Sequence, residues 1–357
     1  MINVTKTFLP PLSEYTKYLK KIWYSGWITN NGELLCLLEY KLKNRLKVEN
    51  IAIVNSGTAA LQIALKALDI KGEVVTTPFS YVATTSAIVW EGARPVFADI
   101  DPDTLCIDPN KIAKKITSRT SAILATHVYG NACDIERISK VARKHNVKVI
   151  YDAAHAFSVT YDGRSLLEFG DASVLSFHAT KFFHTAEGGA IVTKDRDDCN
   201  RILYMRNFGH MGSEDFSGIG TNGKLSELHA AMGLSVLPYI NRIINKLKKT
   251  ADVYDQLLEN PRIKGVKFNP LASRNYAYYP IIFKSEKILI KIKDALFARG
   301  IYPRRYFYPS LNQLPYVDKC SCPVSEKIAK RVLCLPIYYD LSIRQAKKVG
   351  ELVLRGL

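Results

Sequence analysis

The 357-residue chain has no apolar run that approaches the length of a membrane span, which argues against an integral membrane protein. Its first residues, Met1 to Pro11, contain no apolar stretch of the kind that marks a secretory signal. The seven cysteines are odd in number and irregularly spaced. Cys320 and Cys322 stand one residue apart and lack the second pair of a zinc knuckle, so the thiols read as free groups in a reducing compartment. These features predict a cytoplasmic protein without a metal site. Also absent are a low-complexity segment, a fixed-period repeat and a helix-turn-helix pattern. Acidic residues are few, 33 against 50 lysines and arginines, a balance that suits either nucleic acid or a small anionic ligand. The cations are dispersed, as in Lys246, Lys248 and Lys249, and fit solvated helix faces better than a nucleic-acid arm.

What the chain does have is a long alternation of strand and helix patterns. An extended arm, residues 1–12, precedes helical stretches at Ser13–Ile22 and Leu34–Leu46, with the turn-rich Trp27–Gly32 between them. Apolar strand candidates follow at Ile51–Val54, Val74–Thr77, Pro95–Ile100, Ala122–Val128, Val147–Tyr151, Val174–Phe177 and Ala190–Val192. Helical runs lie between several of them, among them Ala59–Leu68 and a helix ending at His145 that Asp134 can cap. The alternation predicts an α/β fold, a mainly parallel sheet covered on both faces. A long amphipathic helix over 240–258 changes the pattern and leads into a smaller α+β region. The expected division is residues 1–240, the arm and large domain, and 241–357, the small domain.

In such sheets ligands gather beyond the carboxyl ends of the strands, so the residues there carry the argument. Lys181 lies on a polar turn between two apolar runs, where Gly188 and Gly189 are expected to permit a tight reversal. A partly buried lysine can act as an amine nucleophile toward a carbonyl, and an ordinary loop lysine is the competing reading. Asn55-Ser56-Gly57-Thr58 joins a strand to a helix start, where free N–H groups can hold a phosphate or simply form a cap. Asp152 ends the Val147–Tyr151 run and could cap a following turn or face a cationic ring nitrogen. Phe79 reads as core, whereas Tyr81 could offer an aromatic face to a cleft. Taken together, a nucleophilic lysine, a ring-nitrogen partner, a phosphate cradle and a stacking ring are what pyridoxal 5'-phosphate needs from a protein.

Five segments, Asn55–Leu61, Asp152–His155, Ser176–Lys181, Glu187–Gly189 and Gly220–Lys224, occur in an order and spacing that resemble the DegT/StrS-type sugar-nucleotide aminotransferases, which are fold-type-I pyridoxal phosphate enzymes. The resemblance covers nearly the whole chain. It implies that Lys181 carries the cofactor and moves the proton, and that Asp152 pairs with the pyridine nitrogen. It implies phosphate contacts from Gly57, Thr58 and Ser176, ring stacking by Tyr81, and a place beside the cofactor for His155. Asn222 is implied to reach the neighbouring subunit's cofactor, hence a homodimer with shared active sites. Some relatives carry histidine in place of the lysine and act as dehydratases; Lys181 favours transamination. Trp27, Thr29 and Asn30, with Arg304, Tyr306 and Tyr308, resemble the substrate-binding segments of the branch that acts on dTDP-4-keto-6-deoxyglucose. That branch uses L-glutamate as amino donor and serves surface polysaccharide (O-antigen) synthesis. The branch that aminates C3 of dTDP-linked 6-deoxyhexoses is the alternative, and a basic nucleic-acid-binding regulator on the same fold is a reading from another class.

Overall fold

The structure is a computed structural model describing residues 1–357. Its centre is a seven-stranded sheet made of β1 (Ile51–Val54), β2 (Glu73–Thr76), β3 (Arg94–Phe97), β4 (Thr120–Thr126), β5 (Lys148–Asp152), β6 (Ala172–Ser176) and β7 (Gly189–Thr193). The spatial order is β1-β7-β6-β5-β4-β2-β3. The neighbours from β6 through β3 run parallel, while β7 is antiparallel to both β6 and β1.

Side chains alternate between the two faces of a strand, and the core divides accordingly. Ile51, Ile53, Val75, Ile123, Val149, Tyr151 and Leu175 enter one large apolar cluster. Ala52, Val54, Val74, Leu124, Ile150 and Val174 enter a second cluster, with Leu61, Ala64 and Leu65 of the helix Gly57–Ala67. Both faces are therefore covered, as expected of strands that read as continuous apolar runs.

Two strands end earlier than the sequence suggests: Arg94–Phe97 stops short of Ile100, and Thr120–Thr126 is followed by a 3-10 turn at Val128–Gly130. The second stop coincides with a left-handed residue, Tyr129, at φ 58°. The helix Glu33–Leu46 buries Leu34, Leu35, Leu38, Leu42 and Leu46 on one stripe. Its amino end has no local side-chain cap. Instead the buried carboxylate of Glu227, from far along the chain, accepts from the N–H groups of Leu34 and Leu35, each at 2.8 Å.

Beyond the large sheet, the helix Ile240–Leu257 buries Ile240, Ile243, Leu247 and Ala251. A three-stranded antiparallel sheet follows, with Tyr279–Phe283 between Ile263–Lys264 and Val332–Leu335. Helices Glu286–Phe297 and Ile343–Gly356 pack around it, the latter started by a Ser342/Gln345 capping box. The extended arm is anchored at its start: Ile2–Asn3 pairs in parallel with Ile301–Tyr302. No helix is long and apolar enough to cross a membrane.

Candidate active site

The carboxyl ends of β1, β4, β5 and β6 converge on one cavity of about 320 Å³. Gly57, Thr58, Tyr81, Asp152, His155, Ser176, Lys181, Arg304 and Tyr306 all line it, so most of the residues selected from sequence meet in one place.

Lys181 stands on the turn after β6. Its Nζ donates to the Tyr278 hydroxyl at 3.0 Å. Burial lowers its pKa to about 8, against the opposing pull of the Asp152 carboxylate first and then of Tyr306 and Tyr81. A lysine in that state offers a far larger fraction of neutral amine near neutral pH than a loop lysine in water does.

Asp152 ends β5 and is 5% exposed. Burial raises its pKa, opposed by the Thr84 hydroxyl, the Ala154 N–H and the Lys181 charge. The Thr84 hydroxyl donates to Asp152 Oδ2 at 2.7 Å. Behind it, Thr126 Oγ1 donates to Ser80 Oγ at 3.0 Å, and Ser80 lies 2.8 Å from Thr84. Because Thr84 gives its proton to the carboxylate and Thr126 gives its own to Ser80, Ser80 must donate to Thr84. Three buried hydroxyls thus point one way, toward Asp152, a chain in which each bond polarises the next. Ala154 N–H donates to the other oxygen at 3.1 Å.

The helix Gly57–Ala67 begins at the cavity wall, capped by Ser56, whose Oγ accepts from Ala59 N–H at 3.0 Å. The N–H groups of Gly57 and Thr58 belong to the first turn, which has no intrahelical acceptors, and the helix dipole adds positive character there. A Cβ on Gly57 would lie 2.8 Å from that of Ser176, so only glycine lets these two walls close together.

The turn around Lys181 is shaped differently from the expectation. Neither Gly188 nor Gly189 has positive φ; Ala186 does, at 67°. The glycines are required by space: a Cβ on Gly189 would meet the Ser56 carbonyl oxygen at 2.6 Å, and one on Gly188 would collide with the Thr185 hydroxyl.

His155 is buried and neutral, its pKa pushed well down by burial and by Lys181. Its Nδ1 accepts from Tyr129 N–H at 3.2 Å, so the proton is on Nε2. Its ring packs on Tyr278 at 4.4 Å between centroids. Tyr81 is 59% exposed and precedes the helix Val82–Trp90, while Phe79 is fully buried against Tyr129 and Phe307.

The remaining sequence-selected residues lie outside this cavity. Asn222 borders a neighbouring cavity that shares Ser56 and Thr58 with the first; its carbonyl accepts from Asn55 and its amide oxygen from Lys224. Trp27 lines a separate surface cavity with Gly32 and Glu227, and Thr29 and Asn30 stand on the same exposed loop. Tyr308 lies under the Arg305 guanidinium at 3.6 Å, and Arg305 is paired with Glu286 at 2.7 Å. Arg304, not Arg305, is therefore the arginine presented to the cavity.

Sequence reasoning missed Tyr278, the three-hydroxyl chain, and the His178–Glu187 pair at the cavity wall, 3.4 Å apart. Tyr278 immediately precedes a strand, 97 residues from its partner lysine, and nothing local marks it. His178 and Glu187 flank Lys181 and were visible there.

The comparisons agree with this geometry. Residues 12–354 match the DegT/DnrJ/EryC1/StrS aminotransferase family. A dTDP-4-amino-4,6-dideoxy-D-glucose transaminase of Shigella dysenteriae is 44% identical, covering 96% of this chain and 95% of its own. An enzyme of the same name from Escherichia coli is 40% identical, covering 99% and 98%. The crystal structure of DesI in the presence of its TDP-sugar product superposes with a TM-score of 0.94 at 32% identity, covering 99% of this chain and 93% of that one. The protein belongs to the DegT/DnrJ/EryC1/StrS aminotransferase family and is an aminotransferase.

Proposed function

We propose that the protein uses pyridoxal 5'-phosphate to transfer the amino group of L-glutamate to C4 of dTDP-4-keto-6-deoxy-D-glucose, forming dTDP-4-amino-4,6-dideoxy-D-glucose. The observation that carries the reading is the convergence of Lys181, Asp152 and the open helix start at Gly57 on one cavity. The relatives at 44% and 40% identity, whose names specify the 4-amino sugar, favour C4 over C3.

The residues present fit that cofactor. Asp152 is a buried carboxylate whose cationic neighbour is Lys181, so a protonated ring nitrogen would complete its charge pairing. The bare Gly57 and Thr58 N–H groups and the Ser176 hydroxyl suit a phosphate. Tyr81 offers a ring face at the same wall. When bound, the cofactor supplies an electron sink that acidifies the substrate carbon.

The chain's own groups do the rest. Lys181 Nζ, with its lowered pKa, takes and returns the proton at that carbon. Asp152, held by Thr84 and Ala154, stays oriented as an acceptor. His155 donates from Nε2 only, since Nδ1 is engaged by Tyr129. Arg304 meets an anionic group of the substrates, either a glutamate carboxylate or the diphosphate.

We further infer a homodimer in which Asn222 serves the partner's site, with Trp27, Thr29, Asn30 and Tyr308 reaching substrate from the rim of the assembled site. The large exposed side chains Trp23, Trp27, Trp90, Phe216 and Ile219 support such an interface. The chain divides functionally at about residue 240, and the enzyme works in the cytoplasm, supplying surface polysaccharide synthesis.

The test is to incubate the cofactor-loaded enzyme with 15N-glutamate and dTDP-4-keto-6-deoxy-D-glucose and assign the product by NMR. The proposal predicts 15N on C4. Label on C3, a deoxygenated product, or inertness of this ketone toward an enzyme that aminates the 3-keto isomer contradicts it.

A further inference from the structure

Lys181 must be a free amine whenever it handles a proton, and in the folded chain that free amine has a defined partner. We propose that Tyr278 is the positioning residue for Lys181: its hydroxyl receives the freed Nζ and holds it at a fixed place between proton transfers. This rests on the proposed transamination and deepens it.

Three observations carry it. The hydrogen bond is well formed, 3.0 Å from Nζ to Oη, with Nζ 5.5 Å from the Tyr278 ring centroid. The tyrosine cannot drift: it immediately precedes the central strand of the three-stranded sheet, packs on His155 at 4.4 Å, and meets Tyr306 edge-on at 5.7 Å. It is 7% exposed, so water does not compete for its hydroxyl.

Burial also pushes the Tyr278 pKa far above the ordinary tyrosine range. It therefore remains a hydroxyl while Lys181 titrates. The oxygen can accept from the ammonium, and the O–H can donate to the lone pair of the neutral amine. Tyr278 itself never gives up its proton; it orients both forms of Lys181. A flexible four-carbon side chain without such an anchor would spread over several rotamers, and proton transfer requires the donor and acceptor within hydrogen-bond reach.

The groups facing Nζ are Asp152, Tyr81, Tyr306, His155 and Tyr278. Of the hydrogen bond's two forms, the one to the ammonium is charge-assisted and about twice as strong as the neutral one. Removing the oxygen therefore disfavours the ammonium and lowers the Lys181 pKa further.

Tyr278→Phe deletes one oxygen and keeps the ring packing. Two measurements decide. In cofactor-free protein, amine labelling of Lys181, followed by peptide mass spectrometry across pH, should show a midpoint lower by about one unit, the equilibrium worth of one hydrogen bond to a charged group. In loaded enzyme, kcat should fall at least about tenfold with both KM values within twofold, and the kinetic isotope effect from α-deuterated glutamate should rise as proton transfer becomes more limiting. An unchanged labelling midpoint overturns the proposal, whatever happens to kcat. So does a kcat loss matched by a lower melting temperature and an unchanged isotope effect, which would mark a packing role. The labelling arm uses neither sugar nor cofactor. An error in the assigned substrate would thus appear as an inert ketone with the midpoint shift intact, which supports the role of Tyr278.

Discussion

Two buried carboxylates stand at opposite ends of the parallel part of the large sheet and are treated in opposite ways. Glu73 begins β2 at the amino end. It receives Arg94 Nη2 at 2.7 Å, Arg119 Nε at 2.9 Å and the Thr117 hydroxyl at 2.7 Å. The Arg94 and Thr117 hydrogen bonds lead in holding its pKa down to about 2. Asp152 ends β5 at the carboxyl end with one hydroxyl and one N–H, and burial pushes its pKa up. The sheet saturates the acid that only has to hold the fold. It leaves under-satisfied the acid that faces the cavity, and a ligand cation is what would complete it. Strained or incompletely paired ionisable groups of this kind gather where chemistry is done.

Substitutions break this comparison in order of size. Lys181→Ala removes the amine on which the reading depends; turnover should fall by more than about a thousandfold with the melting temperature little changed, measured by steady-state kinetics and calorimetry. Asp152→Asn should lower kcat about a hundredfold, as loss of one preorganised electrostatic partner does. The same substitution should raise the melting temperature of the cofactor-free protein at pH 7 by about 1–2 °C, because a buried charge short of partners is removed. The sign follows from the raised pKa: stability linked to Asp152 is present below its unfolded value and lost as pH rises. The gain from Asn should therefore vanish in acid. A variant that keeps its activity and loses stability at pH 7 would make Asp152 another Glu73.

Glu73→Gln should do the reverse, leaving kcat within twofold and lowering the melting temperature by about 3 °C. A depressed pKa contributes stability above the unfolded value, lost as pH falls toward about 2. The wild-type protein should thus outlast Glu73→Gln most clearly above pH 5, and the two melting curves should converge in strong acid. The smallest effect belongs to Thr84→Val, which cuts the hydroxyl chain at its last link; a severalfold loss of kcat is expected, and none if the chain merely fills space.

The parts of the site that were readable in the sequence are those whose signal is local. Asp152 ends a strand and Gly57 and Lys181 each follow one, so position along the chain already implied position in the cleft. Arg304 and Arg305 could not be separated from sequence, because only the pairing of Arg305 with Glu286 and its stacking on Tyr308 turns one away. Gly188 and Gly189 were legible as required glycines, but not the reason, which is the approach of Ser56 and Thr185. Tyr278, the Ser80–Thr84–Thr126 chain and the capping of Leu34 and Leu35 by Glu227 are contacts between distant segments. They obey no period, and only folding makes them neighbours. Most helices and strands were legible because apolar periodicity dictates them; their ends shifted by a few residues, as at Phe97 and Thr126, because apolar runs continue past the last ladder pair.

The central claim is that Lys181 is the residue to which the cofactor attaches. Borohydride reduction of the pyridoxal phosphate-loaded protein, followed by peptide mapping, tests it directly. The account predicts a stable pyridoxyl adduct on the peptide containing Lys181 and none in Lys181→Ala. An adduct on another lysine, or an unmodified Lys181 in fully loaded protein, would contradict it.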